Sequence, residues 1–276
     1  MTNARKRQLE HQRAKREAER KAAVRRRQLR SSAIGIVLIA AAALLFFVGL
    51  PKLRSHESAT ASSPSPTATK TSPKPTVDPT PTSFVTPGAA SKLVACGAKA
   101  PAISPKPQFP YAPPAGVDAS KTYDVTFDTS CGSFTVRLLP KEAPQAVSSF
   151  LFLVRQGFYD GLTFHRITQE GIFVIQGGDP TGAGAGGPGY QFEDEVPKDR
   201  TYKAGVLAMA NAGPDTNGSQ FFVIAKDSTL APSYTIFGEV TSGLDVVQKI
   251  QALPINGGGS DGAPDKTVYV NKATVK

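Results

Sequence analysis

The amino-acid sequence predicts a mainly β protein: a closed antiparallel β-barrel capped by two α-helices, preceded by one transmembrane helix and a Pro-rich linker. Three observations carry this expectation. Short segments alternating apolar and polar residues, separated by Gly-rich turns, fill the C-terminal half. Only two stretches there keep helical spacing. Upstream the composition shifts twice, first into an uncharged apolar run and then into a Pro/Ser/Thr-rich stretch.

Charge sets the order of the elements. The 276 residues carry a formal net charge of +10, from 32 Lys/Arg against 22 Asp/Glu. Residues 1–30 alone hold 12 Lys/Arg and 3 Asp/Glu, a net of +9, so the rest of the chain is nearly neutral. Binding nucleic acid by counterion release needs Lys/Arg clustered on a folded surface, so nucleic acid is not an expected partner. Residues 1–30 read instead as a basic cytoplasmic tail.

Residues 31–50 follow as a signal-anchor helix. Ala33 to Leu50 is an uncharged run of 18 residues, extended by Ser31 and Ser32 and closed by Pro51. A bilayer needs roughly 20 apolar residues, with about 17 as the lower limit. A buried core helix would show a polar stripe, and this run shows none. With the basic tail ahead of the span and only Lys52 and Arg54 close behind it, the positive-inside rule places Met1 in the cytoplasm. The expected location is the cell membrane, single-pass, with everything after Pro51 outside. A cleaved signal peptide is the rival, with Ala59-Thr60-Ala61 as its site. The tail and apolar core exceed the usual dimensions of such a peptide, which favours an uncleaved anchor.

Residues 51–118 hold 14 of the 23 prolines, among Ser, Thr and Ala. Such a stretch buries too little apolar surface to offset its chain entropy, and it reads as a semi-rigid extended linker. Cys96 stands near its end and Cys131 at the start of the next domain. Both fall outside the membrane, where disulfides persist, so a Cys96–Cys131 bridge stapling linker to domain is expected.

Residues 119–276 form the globular domain. Tyr123-Val125-Phe127 and Phe134-Val136-Leu138 alternate around a turn at 129–133. Pro144 opens a helix carrying Val147, Phe150, Leu151 and Val154, which Gly157 stops. Further strands are expected over Gly161–Ile167, Phe173–Gln176, Gly205–Ala210, Gln220–Ile224 and Thr235–Val240, and a second helix over Leu244–Gln251.

Four blocks carry a resemblance. Phe164-His165-Arg166, then Phe173 to Asp179 (FVIQGGD), then Met209 to Pro214 (MANAGP), and finally Asn217 to Phe222 (NGSQFF) resemble the cyclophilin-type peptidyl-prolyl isomerases. Phe192 to Glu195 (FEDE) and Phe237-Gly238 fall in family order, and the likeness spans roughly Tyr123 to Lys276. It implies an eight-stranded barrel and a rotamase, an enzyme turning Xaa-Pro bonds. Pro-containing polypeptides would be its substrates, with no cofactor or metal, and it would act as a monomer. By the same resemblance Arg166 is the catalytic cation, bonding the substrate proline carbonyl. Phe173, Phe222 and Leu230 form the proline slot, with Val174 and Tyr234 where the family usually has Met and His. Gln176, Ala210, Asn211 and Gln220 line the backbone groove. A non-catalytic module docking Pro-containing partners at the cell surface is the alternative; such modules typically lose the Arg or the groove residues, and this chain keeps both.

Departures bear on ligands. Thr229 stands where well-studied members carry a rim Trp, and the chain has no Trp, which implies weak grip on cyclosporin. The loop between Arg166 and Gln176 is two residues longer than usual, and Asp215 replaces a common Asn. His165 reads as a structural histidine. His11, His56 and His165 are too scattered for a metal. Gly182 to Gly187 formally matches a dinucleotide fingerprint, but Pro188 follows it where a helix would have to start, so it reads as a surface loop.

Overall fold

In the computed structural model, which describes residues 76–88, 93–196 and 201–276, the alternating segments form strands and the two helical stretches form helices. The basic tail and the expected span at 31–50 lie outside the described residues. No helix among the described residues is long and apolar enough to cross a membrane.

Strand β1 (Ser83–Val85) pairs with β2 (Lys106–Gln108) as a small antiparallel ribbon. The main sheet contains β3 (Asp124–Thr129), β4 (Gly132–Leu138), β5 (Arg166–Thr168), β6 (Phe173–Gly177), β7 (Val206–Met209), β8 (Phe221–Lys226), β9 (Ile236–Ser242), β10 (Asp261–Gly262) and β11 (Val270–Val275). Their order is β10-β5-β6-β8-β7-β9-β4-β3-β11. Helices α1 (Pro144–Arg155) and α2 (Leu244–Gln251) have the extents expected.

The alternation dictates the core. In the β3–β4 hairpin Val125 faces Val136 and Phe127 faces Phe134. These inward residues are fully or almost fully buried, and the two rings stack at 4.9 Å. Phe150 of α1 inserts among Phe127, Phe221 and Phe237, with ring centroids 5.0 to 6.1 Å apart. Edge-to-face and tilted ring pairs of this kind add to what area burial contributes.

Helix α1 has Pro144 in its first turn and no side-chain cap of its own. Glu195 supplies one from far along the chain: its carboxylate oxygens accept the N–H groups of Gln145 at 3.0 Å and Ala146 at 2.9 Å. A carboxylate there satisfies orphan donors and complements the helix dipole. Helix α2 starts after Gly243, at φ +79°, where a Cβ would stand 2.5 Å from the Ser133 carbonyl oxygen. Only glycine fits that approach.

Two expectations are corrected. The sheet is a curled one of nine strands, not a closed eight-stranded barrel. Its edges approach through residues 161–164 and 268–270: Gly161 N–H bonds Val270 O at 2.7 Å and Phe164 N–H bonds Val268 O at 3.0 Å. The expected strand Gly161–Ile167 is therefore divided. Its first part joins residues next to β11, and from Arg166 it pairs with β6 and β10.

The expected linker also reaches too far. Within 76–118 the described residues fold onto the domain, with Lys106, Pro107, Phe109 and Pro113 buried. Phe109 meets the Phe152 ring edge-on at 4.8 Å. The Lys106 ammonium donates to the carbonyls of Gly157 and Asp160, and burial lowers its pKa against the pull of Asp160. Cys96 and Cys131 are joined by a disulfide. Prolines read as extended coil here serve as apolar surface and edge-strand residues.

Candidate active site

Register places the site. Arg166 on β5 stands opposite Gln176 on β6, Gln176 opposite Phe222 on β8, and Phe222 opposite Ala208 on β7. The row one residue away, Ile167, Ile175, Val223 and Leu207, is fully buried in the main core. Because side chains alternate between faces, the first row lies on the opposite face of the sheet. There it meets a second apolar cluster of Val174, Tyr202, Val206, Phe222, Ile224 and Ile236.

Into this face opens a slot of about 100 Å³ lined by Arg166, Ile172, Val174, Gln176, Ala210, Asn211, Phe222, Leu230 and Tyr234. The Tyr234 ring stands edge-on to Phe222 at 5.3 Å. Tyr202 fixes that segment from below: its hydroxyl accepts Tyr234 N–H at 3.1 Å and bonds the Tyr234 carbonyl at 3.2 Å.

Arg166 is held at three points. Its Nε and Nη2 donate to the two Asp261 carboxylate oxygens at 2.8 Å each, and Nη1 donates to Gln176 Oε1 at 2.9 Å. A guanidinium carries five N–H groups, so two remain without a partner among the described residues, one on each terminal nitrogen. The hydrogen bonds with Asp261 raise the pKa of Arg166 further and hold the Asp261 carboxyl below the usual carboxylate range. The cation is therefore permanent and oriented. Gln176 Nε2 in turn donates to Gln220 Oε1 at 3.0 Å, and Gln220 Nε2 bonds the Gly184 and Gly186 carbonyls at 3.0 and 2.9 Å.

The Gly-rich run is a loop. Its amides are engaged internally: Asp179 accepts the N–H groups of Thr181 at 2.6 Å and Gly184 at 2.5 Å. Burial pushes the Asp179 carboxyl up, and the hydrogen bonds from Thr181, Gly186 and Gly184 together outweigh it, so the group stays ionised. The acidic segment that follows it in the chain is equally occupied. Asp194 accepts Asp215 N–H at 3.0 Å and Asn217 Nδ2 at 2.8 Å, fixing the turn that presents Asn211.

Most of the residues singled out from the sequence thus gather at one place. Phe173 does not line the slot. The β6–β8 register shifts between Phe173 and Val174, and the Phe173 ring lies under the Lys226 ammonium at 5.1 Å. Ile172 occupies the wall instead. Gln220 lines the adjoining cavity rather than the slot itself. Asp261, Ile172 and Tyr202 were not foreseen. His165 lies apart, with both ring nitrogens buried and lacking hydrogen-bond partners among the described residues. Burial lowers its pKa, which leaves a neutral ring suited to packing and not to proton transfer in the slot.

The site is thus a small apolar slot beside side-chain amides and a fixed cation. The comparisons with known proteins give the family. Residues 124–275 match the model described as cyclophilin type peptidyl-prolyl cis-trans isomerase/CLD, and the chain belongs to that family. A Mycobacterium tuberculosis protein named probable peptidyl-prolyl cis-trans isomerase B is 44% identical over 160 residues, 53% of this chain and 52% of that protein. The chain thus spans about half the length of that relative. Human peptidyl-prolyl cis-trans isomerase-like 1 is 45% identical over 161 residues, 56% of this chain and 94% of its own. A Cryptosporidium parvum cyclophilin-type isomerase has a crystal structure that superposes with a TM-score of 0.52 at 31% identity, covering 56% of this chain and 98% of that one. A second structure of it, in the presence of the dipeptide Ala-Pro, gives 0.51 at 32% identity, covering 55% and 98%.

Proposed function

We propose that this chain is a peptidyl-prolyl cis-trans isomerase that turns Xaa-Pro bonds in extracytoplasmic polypeptides and so assists their folding. The observation that carries the reading is the Arg166 guanidinium, fixed by Asp261 and Gln176 at the wall of an apolar slot. Rotation about an Xaa-Pro bond meets a barrier near 20 kcal/mol and takes tens to hundreds of seconds unaided. No bond is broken, so catalysis consists of binding the twisted imide better than either planar form. In this geometry the pyrrolidine ring enters between Phe222, Val174, Leu230 and Tyr234. The two free N–H groups of Arg166 reach the proline carbonyl and the imide nitrogen, whose lone pair localises as resonance is lost. A preorganised cation in a partly dehydrated cleft stabilises that change more than water does. The Ala-Pro dipeptide used with the Cryptosporidium structure supports a substrate of this class.

Location is part of the proposal. The basic tail before the apolar run, the sign of its charge and the Cys96–Cys131 disulfide all support a domain displayed outside a membrane by an anchor at 31–50. The full chain in detergent is expected to accelerate cis-to-trans conversion of Ala-Pro peptides, with the domain protease-accessible on intact cells. No acceleration would overturn the activity, and protection from external protease would overturn the topology.

A further inference from the structure

Residues ahead of the family-matched region build part of the groove. Beside the slot, and sharing Gln176, Ala210 and Asn211 with it, lies a larger cavity of about 510 Å³. One wall is Gln108, at the end of β2, well upstream of residue 124. The Gly-rich loop lines it too. The two are joined: Gln108 Nε2 donates to Gly187 O at 3.0 Å, and Phe109 N–H donates to Pro188 O at 2.8 Å. At Gly189, φ is +96° and a Cβ would lie 2.6 Å from the Phe109 carbonyl oxygen, so the loop sequence accommodates the strap. Burial of Phe109 and Lys106 and the Cys96–Cys131 disulfide anchor the strap on both sides of Pro101.

The chemistry of this cavity is specific. Among the described residues no charged side chain lines it; amide and hydroxyl groups and loop backbone do. With its Nε2 directed to backbone carbonyls, Gln108 keeps Oε1 without a hydrogen-bond partner among the described residues. An acceptor in an uncharged pocket favours an uncharged donor and penalises a charge brought in without a counter-ion. The shared lining residues put the cavity within one or two residues of a proline seated in the slot, at about 3.3 Å of chain per residue.

We infer that the strap 106–109 is a working wall of the substrate groove. Gln108 is a specificity-determining residue that selects Asn, Gln, Ser or Thr within two residues of the substrate proline. This rests on the isomerase reading. The test is kcat/KM of the full chain on peptides carrying Gln, Ala, Glu or Lys at each of the two positions flanking proline on either side. Wild type prefers the Gln peptide over Ala and Glu by about five-fold or more at one position. Gln108→Ala brings that ratio below two, and Gln108→Glu turns the preference toward Lys at the same position. An unchanged Gln-to-Ala ratio in Gln108→Ala, or no gain for Lys in Gln108→Glu, overturns the inference, as does a wild type active without preference. A wild type that accelerates no peptide removes the isomerase reading itself, and the inference falls with it.

Discussion

Asp261→Ala removes both oxygens that fix Nε and Nη2 of Arg166 and leaves Gln176 alone on Nη1. The side chains are 39% and 54% exposed, so solvent screening limits the pair to about 1 kcal/mol. The variant should accordingly melt within about 3 °C of wild type. The larger consequence is orientation. A guanidinium tethered at one point samples rotamers that face away from the slot, and recovering the productive one costs on the order of 1 kcal/mol. That corresponds to a fall of roughly five-fold in kcat/KM, carried by kcat because the slot still binds the ring. Asp261→Asn keeps one acceptor and should fall between the two. The pH dependence has a definite sign. Arg166 depresses the folded pKa of Asp261, so the pair contributes fully above the ordinary carboxylate value of about 4 and is lost as pH falls through the depressed value. Wild type and Asp261→Ala should differ constantly from pH 5 to 8 and converge in strong acid. A protease-free peptide assay by NMR line shape reads both quantities. Undiminished kcat for Asp261→Ala across that range would refute the positioning role.

Loss of the disulfide is expected to be costlier for stability than for catalysis. Its sequence separation of 35 corresponds to about 3.8 kcal/mol of chain entropy, or a drop of roughly 8–15 °C in Tm, on reduction or in the Cys96→Ala/Cys131→Ala double variant. A drop under about 2 °C in thermal denaturation would contradict this. Glu195→Ala strips two N–H groups of α1 of their acceptor and should cost about 1–2 kcal/mol in urea unfolding with the denaturant slope unchanged; a change below about 0.3 kcal/mol would show the cap to be idle. Thr229, exposed where an indole would stand, offers cyclosporin little to grip, so inhibition titrations should give weak inhibition with catalysis retained; tight inhibition would refute this.

The sequence carried the parts of the fold set by local pattern. Helices α1 and α2 and the β3–β4 hairpin follow from periodicity, Pro144 and the Gly-bearing turns. Strand β11 escaped because a register shift between Val270 and Lys272 breaks its alternation, and β10 because two residues make no pattern. Composition misled at 76–118, where Pro107 and Pro113 are buried and not solvated. At the site, every slot residue within the four family blocks was legible except for the exchange of Phe173 for Ile172, which depends on a bulge. Asp261 was not, since an acidic residue in a Gly-rich loop 95 positions from Arg166 has no local signature. Tyr202 was equally silent, its role being set by a contact to Tyr234 across a loop.

The most direct measurement is two-dimensional NMR exchange on an Ala-Pro peptide with the full chain, wild type beside Arg166→Ala. Removing a preorganised donor of this kind costs about 10²–10³ in kcat. The account predicts rapid cis–trans exchange with wild type and at least a hundred-fold slower exchange with Arg166→Ala, at a melting temperature within about 3 °C of wild type. Equal exchange rates for the two proteins would contradict it.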